Sequence, residues 1–139
     1  LLQAENVSIL VVEDMPAVRQ TLLRFLTRKG YGVELASNGV EAMALLDCPS
    51  FPLPHLVITD MMMTEMNGRE LCEAVIASYP DLPILVLSAY SPDLLPTAAN
   101  AEIAFLPKPL QPKQFFAQIE KMLNEHPVPQ RNPMAGTES

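Results

Sequence analysis

A chain of 139 residues, 49% of them hydrophobic, has enough apolar surface for one core and needs no second domain. A net charge of −7, with nine Lys and Arg scattered along the chain, excludes the clustered basic surface that direct nucleic-acid binding requires. No apolar run approaches the ~20 residues of a membrane span and no signal-peptide layout opens the chain, so a cytoplasmic domain without membrane contact of its own is expected.

The first residue is Leu1 rather than Met, which reads as a chain processed or cut from a longer one. Residues 1–6 form a lead, 7–124 the domain, and 125–139, with three prolines and no periodicity, a tail expected to be disordered. Ser8-Ile9-Leu10-Val11-Val12 is a buried-strand run followed at once by Glu13-Asp14. Pro16 suits the first turn of a helix, with Asp14 as its cap, and Val18, Leu22, Phe25 and Leu26 recur at helical spacing until Gly30. Val33 to Ala36 is a second strand, and Asn38-Gly39 turns the chain into a helix from Val40 to Leu46. After a proline-bearing loop, Leu56-Val57-Ile58-Thr59-Asp60 is a short apolar run ending in one carboxylate, the pattern of a strand buried on both faces.

A third helix follows Gly68, carrying Leu71, Ala74 and Val75 and closing near Tyr79-Pro80. Ile84 to Ser88 is the fourth strand; Ser91-Pro92-Asp93 starts a fourth helix that Pro96 shortens or distorts. Ile103 to Leu106 is the fifth strand, Pro107-Lys108-Pro109 a rigid loop, and Pro112 opens a last helix with Phe115, Phe116, Ile119, Met122 and Leu123 as its buried stripe. Cys48 and Cys72 match no metal or redox spacing and read as reduced thiols.

The β-α alternation, repeated five times, and the right-handed crossover rule give an α/β fold, a doubly wound parallel sheet with helices on both faces. All strand ends then share one edge, where ligands bind in such sheets. That edge carries Glu13 and Asp14, then Asp60, Ser88 and Lys108. An isolated strand-end Asp more often caps a turn, and an isolated Lys is usually a surface lysine. Three converging carboxylates, however, repel one another unless a cation joins them, and hard oxygen donors suit Mg²⁺ or Mn²⁺. A carboxylate such as Asp60 can act as a nucleophile towards phosphorus; Lys108 would balance the charge of the acyl phosphate and Ser88 would donate a hydroxyl to it. A flavodoxin-like nucleotide binder would need a Gly-rich loop where the acids stand, and a haloacid-dehalogenase-type phosphatase an Asp where Met62 stands.

Glu13-Asp14, the run Asp-Met-Met-Met-Thr-Glu-Met-Asn-Gly from Asp60 to Gly68, Ser88-Ala89 and Lys108-Pro109 together resemble the receiver domain of bacterial response regulators, the CheY-like fold. The resemblance spans Val7 to Leu123. It implies five strands in the order 2-1-3-4-5 with five helices, Asp60 as phosphoacceptor, and Mg²⁺ held by Glu13, Asp14, Asp60 and the backbone carbonyl of Met62. It further implies phosphoryl contacts from Ser88 and Lys108, a cis Lys108-Pro109 bond, and a switch running through Ser88 and Phe105 to the surface of the last two helices and the last strand. A plain core role for Phe105 fits the residue equally well.

The partner implied is a histidine kinase or histidine phosphotransfer domain, with the domain itself a monomer or weak dimer. Such a domain promotes its own phosphorylation and dephosphorylation without being a separate enzyme. Thr64 stands where the family commonly has Pro, loosening that loop. The apolar Met62 side chain is expected to slow hydrolysis of the aspartyl phosphate, and Tyr90 to shade the site. The Met61, Met62, Met63 and Met66 cluster reads as core filling. Ser88 to Ser91 and Phe105 to Pro109 look like receivers attached to hybrid histidine kinases, whose parent chain would be a protein histidine kinase, and the tail ending at Ser139 would fit a natural C-terminus. The alternatives are the receiver of a transcriptional regulator and a pseudo-receiver used only for binding.

Overall fold

The computed structural model describes residues 6–61, 63, 66–88 and 103–125. The elements run β1 (Ser8–Val12), α1 (Pro16–Arg28), β2 (Gly32–Ala36), α2 (Gly39–Asp47), β3 (Leu56–Asp60), α3 (Gly68–Ser78), β4 (Ile84–Ser88), β5 (Ile103–Pro107) and α4 (Pro112–Glu125). The five strands form one parallel sheet in the order β2-β1-β3-β4-β5, a CheY-like doubly wound sheet. Four helices lie among the described residues; the helix expected from Ser91 and the tail beyond Glu125 lie outside them. Glu125, assigned to the tail from sequence, is the last residue of α4.

Strands β1, β3 and β4 are the inner ones, and nearly every residue of theirs is buried because helices cover both faces. Alternation sorts their side chains into two layers. Ile9, Val11, Leu56, Ile58, Leu85 and Leu87 pack with Leu22 and Leu26 of α1 and with Phe115, Ile119, Met122 and Leu123 of α4. Leu10, Val12, Val57, Ile84 and Val86 pack with Ala42 and Leu46 of α2 and Leu71, Cys72 and Val75 of α3. Met61 is buried in the second layer and Met63 and Met66 pack against it, so these methionines fill space. Cys48 and Cys72 are not joined in a disulfide, and burial pushes the Cys72 thiol up to about 12.

The helix starts show what the local sequence controls. Asn38 caps α2 by accepting the Glu41 amide. Asn67 and Glu70 form a reciprocal capping box on α3, an Asn-x-x-Glu signature readable in the sequence. The start of α1 corrects the expected cap. Its N-cap is Met15, not Asp14, and no side chain caps it. The reason lies one residue earlier, where the Glu13 carboxylate accepts the Met15 amide at 3.1 Å and Pro16 has no amide to satisfy.

Candidate functional site

Register places the site. Val12 pairs with Thr59, so the next residues, Glu13 and Asp60, stand side by side at the strand ends. Asp60 pairs with Leu87 and Ser88 with Pro107, so Ser88 and then Lys108 stand successively further along the same edge. The long Lys108 side chain bridges that stagger. Its Nζ lies 3.2 Å from Asp60 Oδ2, while its amide donates to the Ser88 carbonyl at 3.0 Å. The Lys108–Pro109 bond is cis.

Glu13, Asp14 and Asp60 each offer a carboxylate oxygen, and the three oxygens lie within 4.8 Å of one another. Glu13, Asp60 and Ser88 are buried, with Asp14 half-buried. The backbone at Glu13 is held from both sides, its amide donating to Ala36 at 3.0 Å and its carbonyl accepting Arg19 Nη1 at 2.7 Å. One carboxylate oxygen of Glu13 takes the Met15 amide; the other, Oε1, is buried and has no hydrogen-bond partner among the described residues. Burial, the nearby Asp60 charge and the neighbouring Asp14 side chain, opposed by the Met15 amide and Lys108, leave the Glu13 carboxyl at about 7, well above its ordinary value. A buried carboxylate oxygen without a donor, next to two further acids, is a donor set that fits a hard divalent cation.

Beneath Asp60 the β3–α3 connection is pressed against the strand end. Thr59 Oγ1 donates to the Asp60 carbonyl at 2.9 Å, and the Gly68 amide donates to Met61 at 2.8 Å. A Cβ on Gly68 would stand 2.5 Å from the Asp60 carbonyl oxygen, so only glycine lets α3 begin there. Met66 holds a left-handed φ of 47°, and its side chain approaches Gly39 so closely that a Cβ there would lie 2.6 Å from Met66 Cγ.

The profile of the family described as the response regulator receiver domain matches residues 9–120. The chain belongs to this family. It is 40% identical over 121 residues to the response regulator MprA of Mycobacterium bovis, an alignment covering 85% of this chain and 51% of that protein. The receiver domain therefore spans about half the length of the curated relatives it matches. Among solved structures it is similar to the signal receiver domain of a signal transduction histidine kinase from Syntrophus aciditrophicus, with a TM-score of 0.75 and 27% identity, covering 89% of this chain and 95% of that one. It is also similar to the response regulator TrrA of Thermotoga maritima, solved in complex with Mg²⁺-BeF, with a TM-score of 0.73 and 28% identity, covering 84% of this chain and 99% of that one. The chain is thus a receiver domain of two-component signalling, a family whose partners are histidine kinases or phosphotransfer proteins.

Of the residues singled out from sequence, the receiver fold brings Glu13, Asp14, Asp60, Ser88 and Lys108 to one edge. Phe105 is half-buried on β5, paired with Val86. Met62, Thr64 and Tyr90 lie outside the described residues. Arg19 was missed. Its signal was a cation in the fourth position of a helix, where it works against the helix dipole and so has another task. Among the described residues, no helix is long and apolar enough to cross a membrane.

Proposed function

We propose that this receiver domain takes a phosphoryl group from a phosphohistidine, of a histidine kinase or a histidine phosphotransfer domain, onto Asp60. An oxygen of the Asp60 carboxylate attacks phosphorus, the P–N bond to the histidine breaks, and the donor imidazole keeps the electron pair and takes up a proton. Lys108, already at Asp60 Oδ2, supplies the positive charge that the phosphoryl oxygens need, and Ser88 at the neighbouring strand end supplies a hydroxyl. Glu13, Asp14 and Asp60 would hold Mg²⁺, with Mn²⁺ as a substitute; the ion supplies charge neutralisation at the transferring group. The carbonyl of Met62 would complete the protein ligands. The observation that carries this reading is the Asp60 carboxylate, 8% exposed, in contact with a lysine on one side and grouped with two acids on the other.

Phosphorylation would draw the Ser88 hydroxyl inward, and the Phe105 ring would follow, changing the face around β5 and α4. The domain would serve a hybrid sensor histidine kinase, with the receiver of a transcriptional response regulator as the second reading. The Syntrophus kinase receiver supports the first, and the identity to a response regulator twice as long supports the second. The chemistry at Asp60 is the same in both.

Intact-mass analysis after incubation with acetyl phosphate and Mg²⁺ tests the reading. A phosphoryl-sized gain that disappears in Asp60→Asn and in EDTA is expected. A folded wild-type domain that gains no mass would make this a pseudo-receiver, used only for binding.

A further inference from the structure

The Arg19 guanidinium reaches back from α1 to the Glu13 carbonyl, 2.7 Å from Nη1. That carbonyl belongs to the peptide joining the two adjacent acids, and a peptide is planar. Its oxygen, the Asp14 amide and the Asp14 Cα therefore move as one plate. Turning the plate would swing the Asp14 side chain and twist the Glu13 backbone, although the Glu13 amide is tied to Ala36 at 3.0 Å and its carboxylate to the Met15 amide at 3.1 Å. The Arg19 bond is the one among these that fixes the plate's rotation. It also satisfies a partly buried carbonyl at the point where β1 ends and α1 has not begun.

We infer that Arg19 is a positioning residue, which orients the Glu13–Asp14 peptide so that both carboxylates converge with Asp60 in the geometry of a Mg²⁺ site. The inference rests on the cation reading of the acidic crevice proposed above. Arg19 acts through its hydrogen bond and needs no contact with the ion. Mg²⁺ demands near-ideal octahedral geometry at short distance, whereas Ca²⁺ accepts irregular and longer coordination. Loosening the plate therefore weakens Mg²⁺ more than Ca²⁺. Simple destabilisation of the fold would weaken both alike.

The test is calorimetric titration of Mg²⁺ and, separately, Ca²⁺ into the wild-type domain, Arg19→Met and Arg19→Lys, with thermal unfolding of each in EDTA. Arg19→Met keeps the aliphatic stem and removes the donor; Arg19→Lys keeps a donor of nearly the same reach. The expected result is a Mg²⁺ Kd raised about tenfold in Arg19→Met, the loss typical when a partner of a metal ligand is removed. Ca²⁺ binding weakens less, and Arg19→Lys recovers most of the loss. Wild-type Mg²⁺ affinity in folded Arg19→Met overturns the inference, as does an equal loss for both ions, or an Arg19→Lys as weak as Arg19→Met. A wild-type domain that binds no Mg²⁺ removes the cation reading itself, and the inference with it.

Discussion

Gly68 begins α3 directly under the carbonyl of Asp60, in a space where a Cβ would come within 2.5 Å of that oxygen and 2.7 Å of the Met61 Cα. Both neighbours are backbone, which cannot turn aside as a flexible side chain would. Gly68→Ala must displace either the strand end or the helix, and overpacking of this kind costs about 1–3 kcal/mol. Urea unfolding should show that loss, accompanied by slower phosphorylation because Asp60 moves with its own carbonyl. An unchanged midpoint would mean that α3 yields more easily than the packing indicates.

The Glu13 carboxyl sits at about 7 because it is buried beside Asp60. Its folded pKa is raised above the ordinary 4.5, so the metal-free protein binds an extra proton in that interval. The stability this group contributes is full below 4.5 and lost as pH rises to about 7. Cation binding runs the other way, since the proton must leave before Glu13 can ligate. Mg²⁺ titrations should give a Kd about tenfold weaker near pH 6 than near pH 8, changing little above pH 8. A flat profile in the wild type would remove Glu13 from the ligand set.

Lys108 has two opposing effects at Asp60. Under the proposed reading its charge, 3.2 Å from the Asp60 carboxylate, would stabilise phosphoryl oxygens but compete with a cation for that carboxylate. Lys108→Met should therefore tighten Mg²⁺ binding a few-fold, by roughly 2–5 times, as a partly exposed charge is lost from beside the acids. Acetyl phosphate labelling of Asp60 should slow roughly a hundredfold, the scale of removing one charge-stabilising donor. If both quantities fall together, Lys108 is holding the site's shape instead.

At the opposite end of the sheet His55 ties β3 to β1. Its amide donates to the Ser8 carbonyl at 2.8 Å, and its Nδ1 accepts the Ser8 amide at 3.2 Å. Burial lowers its pKa below 6.5. For a group with a depressed folded pKa, the stability it contributes is present above the unfolded value of 6.5 and lost as pH falls below it. Replacing His55 with Asn, which offers an acceptor that does not titrate, should flatten the thermal midpoint between about pH 7.5 and pH 5.5. An identical acid slope in the two proteins would assign the loss to other groups.

Sequence and structure agree on the strands and differ only locally. Runs such as Ile84 to Ser88 are legible because an inner parallel strand must be apolar on both faces, and that leaves a short continuous run. The α1 cap was misread because Asp14 has the right chemistry for a cap, while the position of Glu13 above the chain is a three-dimensional fact. Arg19 escaped notice because its partner is a backbone carbonyl, which has no sequence signature.

From the residues alone follow the number of strands and the residues that end them, while the order in the sheet came with the resemblance to receiver domains. A β-α repeat with one crossover hand leaves all strand ends on one edge, so Glu13, Asp14, Asp60, Ser88 and Lys108 had to gather there. Only the tertiary structure decided how they meet. The stagger between β3, β4 and β5 brings the Lys108 ammonium back onto Asp60. Burial, together with the amide of Met15, leaves a single oxygen of Glu13 without a donor among the described residues. Those outcomes depend on strand register, side-chain rotamers and removal from water, none of which the order of residues encodes locally.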